Sequence, residues 1–371
     1  MDHLPPTMRA VVLIGHGGYD KLEYRDDVPL PRPQPGEALV RVGASAVNNT
    51  DINTRTSWYA DSVSTGVTKE GGAGGFAAAA GQSAGWSGAP LSFPRIQGAD
   101  ICGEIVAVGA GVDKGRVGQR VLVDVWIRDP SDPLCIETAG CVGSECDGGF
   151  AEYATVPAEC AVAISSDLGD EELASFPCAY ITAENMVSRG RVAAGDTVLI
   201  TGASGGVGSA AIQLCKRRGA TVVATASESK HAELKALGAD LLLPRQAGEL
   251  SEKLAPLLPD GAVDAVLDTV GGPGFGGLIA VLRARGRYAA CGAIAGPIVT
   301  FDARELIYRD LEFYGATLAP ASVFEDLVGY IERGEIRPII SRVFPLSELK
   351  AAQEAFLSKE YVGKIVIKVR D

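Results

Sequence analysis

The 371-residue sequence has no surplus of positive charge: 34 Lys and Arg stand against 46 Asp and Glu, a net charge of −12. Nucleic acids and anionic membranes are both bound through basic side chains that neutralise phosphate, so neither is an expected partner. No apolar run approaches the ~20 residues of a membrane-spanning helix. Met1 to Met8 carry Asp2 and two prolines where a signal peptide would have a basic start and an apolar core. Internal repeats are absent. Histidine, the commonest metal ligand, occurs only as His3, His16 and His231. The eight cysteines are scattered, which fits reduced thiols and a cytoplasmic setting better than a disulfide framework.

What is present is enough apolar material to fold: 47% hydrophobic against 22% charged residues. At about 150 residues per domain, the length suggests two domains. From Thr197 onward, short β-branched runs alternate with amphipathic stretches, as in parallel strands joined by crossover helices. Strands are expected at Thr197–Gly202, Thr221–Ala226, Leu241–Pro244, Val263–Val270, Arg287–Gly292 and Leu311–Thr317. Helices are expected at Val207–Arg218, Glu228–Leu237, Glu249–Leu258, Phe275–Arg285 and Asp302–Arg309. That order describes a doubly wound α/β fold.

The first 160 residues have a different texture, with Val-rich segments at Arg9–Ile14, Ala38–Ala46, Gly103–Val108, Arg120–Val125 and Ala151–Val156 between Gly and Pro turns. After Ser322 the chain returns to this texture, with a helix at Glu348–Ser358 and a strand at Gly363–Val369. The expected domains are therefore 1–160 with 322–371, barrel-like, and 161–321, which binds a cofactor. The cleft between them is the expected ligand site. Residues 57–92 fit neither texture, since they hold eight glycines together with Trp58, Tyr59, Phe76 and Trp86. Either a lid or subunit contact, or a disordered excursion, would explain them.

Gly202-Ala203-Ser204-Gly205-Gly206-Val207-Gly208 stands where the first parallel strand feeds a helix. In that setting glycines let the backbone approach a pyrophosphate and let the helix pack on the strand, while the helix N-terminus favours the anion. The next strand ends at Ala226-Ser227, without the carboxylate that binds the ribose hydroxyl of NAD. Ser227 and Lys230 are placed to hold a 2′-phosphate, so NADPH is the expected cofactor. Glu228 would oppose it if turned inward.

Taken with Met8-Arg9-Ala10, Val47-Asn48-Asn49-Thr50-Asp51, Gly98-Ala99-Asp100, Pro177 to Ala183, Asp268-Thr269-Val270-Gly271-Gly272 and Gly363-Lys364-Ile365-Val366, the sequence resembles the medium-chain dehydrogenase/reductase superfamily, and within it the zinc-free quinone oxidoreductases. The resemblance spans nearly the whole chain except 57–92. It implies a GroES-like catalytic domain beside a Rossmann domain. The catalytic zinc ligands of the alcohol dehydrogenases would fall at Asn48, Ala99 and Cys178, where only the cysteine is retained, so no zinc is expected. Cys135, Cys141 and Cys146 are spaced too widely for the usual structural zinc.

The resemblance also places Asn48 to Asp51 on the cleft floor. Asn48 is a candidate donor to a carbonyl oxygen and Thr50 a candidate proton relay; both are equally the residues of an ordinary helix cap. Tyr59 is a candidate acid if 57–92 folds over the cleft. Asp51 and Asp100 are expected to orient the floor, Thr182 and Lys364 to face the cofactor, and Gly292-Ala293-Ile294 to pass near the nicotinamide. The implied activity is hydride transfer from NADPH to a quinone or an α,β-unsaturated carbonyl compound. An unsaturated acyl thioester, a non-catalytic nicotinamide-binding role and a zinc alcohol dehydrogenase are the alternatives. A homodimer through the edge strand 311–317 is expected, as in relatives.

Overall fold

The computed structural model describes residues 4–245, 250–258 and 260–370; His3 and Glu249, both named above, lie outside them. Six parallel strands form one sheet in the order Leu241–Pro244, Thr221–Ala226, Thr197–Ile200, Val263–Asp268, Leu282–Ala290, Glu312–Gly315. Numbered along the chain this is 3-2-1-4-5-6, the doubly wound order, and it puts the carboxyl end of Thr197–Ile200 at the point where the winding reverses. Val198, Leu199 and Ile200 are all fully buried, as a central strand covered by helices on both faces requires.

The other domain is built on Glu37–Ala46, which pairs antiparallel with Cys102–Val108, Tyr153–Pro157 and Lys364–Lys368. Arg120–Val123, Ala161–Ala163 and Ile340–Pro345 extend this sheet. A smaller sheet, Leu22–Pro29, Thr7–Leu13 and Arg95–Ile96, joins it through a bridge between Ala10 and Ala151. The GroES-like and Rossmann architectures expected from the sequence are both present. Among the described residues no helix is long and apolar enough to cross a membrane.

Some expected elements differ. The helix beginning at Phe275 stops at Ala280, and the strand expected from Arg287 begins at Leu282. Val263 pairs with Leu282 and Ala265 with Arg287, so Arg283–Gly286 form a bulge, with Arg285 at φ +62°. Leu, Arg and Ala in this run favour a helix locally, and the sheet overrides that preference. The helix Pro177–Arg189 has no expected counterpart: nine of its residues are buried, so it lacks the polar face by which periodicity reveals a helix. Helix Ala321–Glu332 packs on it and adds Phe324, Leu327 and Ile331 to the core under the parallel sheet.

Residues 57–92 are ordered by their own small core. Ala60, Val63, Ala79 and Ala84 pack with Trp58, Tyr59 and Phe76. Thr68 caps the helix Lys69–Gly74 by accepting from the Gly71 N–H. The fully buried Arg55 anchors the segment, donating to the carbonyls of Gly72 (2.6 Å) and Gly17 (2.8 Å) and to Gln353 Oε1 (3.0 Å). The buried Gly72 carbonyl would otherwise lack this donor. Arg55→Met is expected to lower unfolding free energy by about 3 kcal/mol and to speed hydrogen exchange across 57–92; unchanged exchange there would show that Arg55 is not the anchor.

Candidate active site

A cleft of about 840 Å³ separates the two domains, and both contribute to its walls. Its cofactor-domain side begins at the glycine turn. Gly202 has φ +56°, and a Cβ there would lie 2.4 Å from Thr269 Oγ1. A Cβ on Gly208 would come equally close to the Gly202 carbonyl. A side chain at Gly208 would push the helix Gly206–Arg217 away from the turn, and one at Gly202 would displace the loop at Thr269. That helix has Gly205 at its N-cap and no side-chain cap, leaving the N–H groups of its first turn available to an anion in the cleft. Gly202, Ser204, Gly205, Gly206, Val207 and Gly208 all line the cleft. Ala203 does not: its methyl is fully buried behind the turn, in the core.

The neighbouring loop Thr269–Gly272 is held by the buried Asp268. Its carboxylate accepts from Thr201 Oγ1 (2.5 Å), Tyr288 Oη (2.6 Å) and the N–H groups of Val270 (2.9 Å) and Gly271 (3.1 Å). This explains physically why an Asp stands before the glycines of that motif.

At the tip of the second strand, Ser227 and Lys230 line the cleft as expected, whereas Glu228 is exposed and turned away. Lys230 Nζ donates to Ser204 Oγ (3.2 Å) and to the Lys359 carbonyl (2.6 Å). Two further cations, not foreseen, join it: Arg245 from the end of the third strand and Lys359 from the turn after helix Leu349–Ser358. Among the described residues neither is ion-paired with a carboxylate. Burial, and the charges of Lys230 and Arg245, push the Lys359 ammonium down to about 7. Three converging cations repel one another unless an anion lies among them.

The floor is an internally neutralised network. Lys364, only 4% exposed, donates to Asn48 Oδ1 (2.5 Å), Asp100 Oδ2 (2.9 Å) and the Val47 carbonyl (3.2 Å). Asn48 Nδ2 in turn donates to Asp100 Oδ2 (2.7 Å) and the Ala46 carbonyl (3.2 Å). Asp100 also accepts from the Cys178 N–H (2.6 Å). Both amide hydrogens of Asn48 are therefore committed, which corrects its expected role as a free donor: it is a strut of the floor. Asp51 accepts from the Asn48 N–H (2.7 Å) and the Gly98 N–H (3.2 Å), holding the loop as expected, and burial raises its carboxyl to about 7.

This donor set does not fit a catalytic zinc. Asn48 is bonded to an ammonium and Ala99 has no ligand atom, which leaves Cys178 alone of the three positions, too few for a tetrahedral site. Among the described residues no group of three or more His, Cys, Asp or Glu is placed to hold a metal.

The remaining expected residues do meet in the cleft. Tyr59 Oη donates to Thr50 Oγ1 (3.2 Å), and burial raises its phenol, keeping it neutral and a donor. Asn53, unforeseen, lines the cleft beside them. Thr182 reaches the cleft with its hydroxyl donating to the Cys178 carbonyl (2.7 Å). Gly292, Ala293 and Ile294 form the opposite wall, and there 57–92 crosses between the domains: the Val67 N–H donates to the Ile294 carbonyl at 2.8 Å. A Cβ on Gly66 would sit 2.5 Å from that oxygen, so only glycine allows the approach.

The Alcohol dehydrogenase GroES-like domain family matches residues 34–166, and the Zinc-binding dehydrogenase family matches residues 206–333. A solved structure from Sinorhizobium meliloti 1021, with a provisional alcohol dehydrogenase assignment, is 45% identical with a TM-score of 0.88, covering 98% of this chain and 97% of that one. The chain belongs to the medium-chain dehydrogenase/reductase superfamily. It is an oxidoreductase of that superfamily, whose members bind a nicotinamide cofactor. It is also similar to the 2-octenoyl-CoA carboxylase reductase CinF, solved with NADP and 2-octenoyl-CoA, at 27% identity, a TM-score of 0.81, and 98% and 88% coverage. The quinone oxidoreductase of Rattus norvegicus is 24% identical, with 97% of each chain covered.

Removing one partner of the floor network exposes its strength. Lys364→Met is expected to cost about 3–5 kcal/mol by leaving Asp100 buried and uncompensated, and adding Asp100→Asn is expected to restore more than half. Equal denaturation midpoints for wild type and Lys364→Met would refute the network's role.

Proposed function

We propose that the chain is an NADPH-dependent, zinc-independent reductase of α,β-unsaturated carbonyl compounds or quinones. The observation that carries this reading is the Lys364–Asp100–Asn48 network, because an internal ammonium is bonded at the position where a metal ligand would be needed. A floor without a Lewis acid does little to polarise a simple ketone or alcohol, so the acceptor must already be electron-poor.

The glycine turn and the first turn of helix Gly206–Arg217 would hold the cofactor pyrophosphate, and Ser227, Lys230, Arg245 and Lys359 its 2′-phosphate. Bound NADPH would supply the hydride. The chain's own part is to receive the negative charge that builds on the substrate oxygen. Tyr59 holds its proton at Oη and aims it at Thr50, so a substrate carbonyl can take the place of Thr50 as acceptor. Trp58, Trp86 and Trp126 exclude water from that end of the cleft. Reduction of an unsaturated acyl thioester, favoured by the likeness to CinF, is the second reading.

The edge strand Glu312–Gly315 is the surface through which we infer a homodimer; Ile307 and Tyr308 beside it are 61% and 79% exposed. Light scattering is expected to return twice the chain mass, and the mass of one chain would remove the inference. The setting proposed is the cytoplasm.

The test of the activity is NADPH oxidation with a panel of quinones and enones, run in parallel with NADH. Faster oxidation of NADPH is expected, and no oxidation across the panel would defeat the reading. Tyr59→Phe is expected to lower kcat about 10²-fold with NADPH affinity unchanged; an unchanged kcat would remove Tyr59 from the chemistry.

Lys359 gives the pH dependence. Its folded-state value of about 7 lies below the ordinary ~10.4, so its burial destabilises the protein as pH falls from about 10 towards 7. A bound phosphate favours the ammonium, so NADPH binding near pH 8 is expected to take up a proton and to weaken as pH rises. Calorimetry in two buffers of different ionisation enthalpy reads this uptake. Lys359→Met should abolish it, and buffer-independent heats in the wild type would contradict it.

A further inference from the structure

The chain has three tryptophans, and all three line one end of the cleft. Trp86 lies against Trp126 with ring centroids 4.5 Å apart and planes tilted by 40°, and Trp58 meets Tyr59 edge to face at 5.9 Å. The Trp58 ring and the backbone that carries Trp86 are held in place before any ligand arrives, and the Trp126 ring is fixed by burial, its indole N–H having no partner among the described residues. The Trp58 indole N–H donates to the Thr65 carbonyl (2.9 Å), while the Trp86 N–H and the Ser87 N–H donate to Ser144 Oγ and Glu145 Oε1, both at 2.9 Å. Pre-set rings lose little entropy on binding and offer flat faces to a flat ligand.

No charged side chain lines the cleft at this end; Glu145 lies behind its wall, accepting from Ser87 and Cys141. The four cations lining the cleft are Lys230, Arg245, Lys359 and Lys364; the first three gather at the second-strand tip and the fourth is neutralised by Asp100. The polar groups between the tryptophans and the floor are Tyr59, Thr50 and Asn53.

We propose that Trp58, Trp86 and Trp126 form a receptor for an uncharged aryl group, and that the substrate is an aryl-substituted α,β-unsaturated carbonyl compound whose oxygen reaches Tyr59. This rests on the reductase reading above. The double bond takes up the hydride supplied by NADPH and one proton, giving the saturated aryl-substituted carbonyl compound and NADP⁺. A nucleotide-bearing thioester finds no cation at this end, and a short aliphatic enone leaves the rings unfilled.

Two measurements separate the receptor from the reaction. Benzalacetone is compared with the aliphatic pentenone as substrate. The saturated ketones benzylacetone and pentanone, which lack the activated double bond, are compared as quenchers of intrinsic fluorescence, which comes from tryptophans all at this site. Benzalacetone is expected to have about a hundredfold higher kcat/KM, and benzylacetone alone to quench saturably. Equal kcat/KM values, or equal quenching, would overturn the receptor and leave the reductase standing. Saturable quenching by benzylacetone without turnover of either enone would overturn the reductase and leave the receptor. Neither quenching nor turnover would overturn both. Trp86→Leu should reduce the preference for benzalacetone about tenfold, with an unchanged NADPH dissociation constant showing that the cleft is intact; an undiminished preference would also overturn the receptor.

Discussion

The ion pair between Lys364 and Asp100 is the contact on which the cleft depends. Both side chains are almost wholly buried, 4% and 0% exposed, and their hydrogen bonds reach four separate pieces of chain. Lys364 opens the last strand of the GroES-like sheet, Asn48 ends the loop after that sheet's central strand, Asp100 follows the Gly98 turn, and Cys178 begins the helix Pro177–Arg189 that leads into the cofactor domain. A buried ion pair is costly unless its remaining hydrogen-bonding capacity is satisfied. Here the ammonium has three acceptors and the carboxylate three donors, so the pair fixes the register of all four pieces. In the reading proposed above, a floor already neutral would leave catalysis to the phenol above it and to an acceptor that needs no Lewis acid.

Residues 57–92 depend on this floor from the other side. They leave the helix Asn49–Thr56, whose Arg55 anchors them, cross the cleft, and bind the cofactor-domain loop at Ile294. The segment is thus a wall of the site, built by one domain and fastened to the other. Of the two explanations open at the level of sequence, a covering segment fits and a disordered excursion does not. Gly66 serves close approach against Ile294, and Trp58, Tyr59 and Trp86 line the pocket while Phe76 packs in the segment's own core.

What could be read in the sequence was what local pattern encodes. The glycine turn, the strands around it and the missing carboxylate at Ser227 all lie within one short stretch, and the structure places them together. Lys364 was legible only as a residue facing the cofactor, because its partners Asn48 and Asp100 are 316 and 264 positions away. For the same reason Asn48 read as a free donor, since nothing nearby in sequence shows that its amide is already engaged. Arg245 and Lys359 converge with Lys230 only through the fold, and Ala203 could not be told from its neighbours until the curl of the turn was known. Trp126 lies in the GroES-like domain, 40 positions from Trp86, and only their stacking reveals a shared pocket.

The central claim is that an internal ammonium makes a metal unnecessary at the floor. The direct test is the rate of NADPH-dependent enone reduction after exhaustive chelation, and again after adding zinc. The rate is predicted to be the same in both, with no zinc retained by the protein. Loss of activity on chelation, recovered stoichiometrically with zinc, would contradict the account.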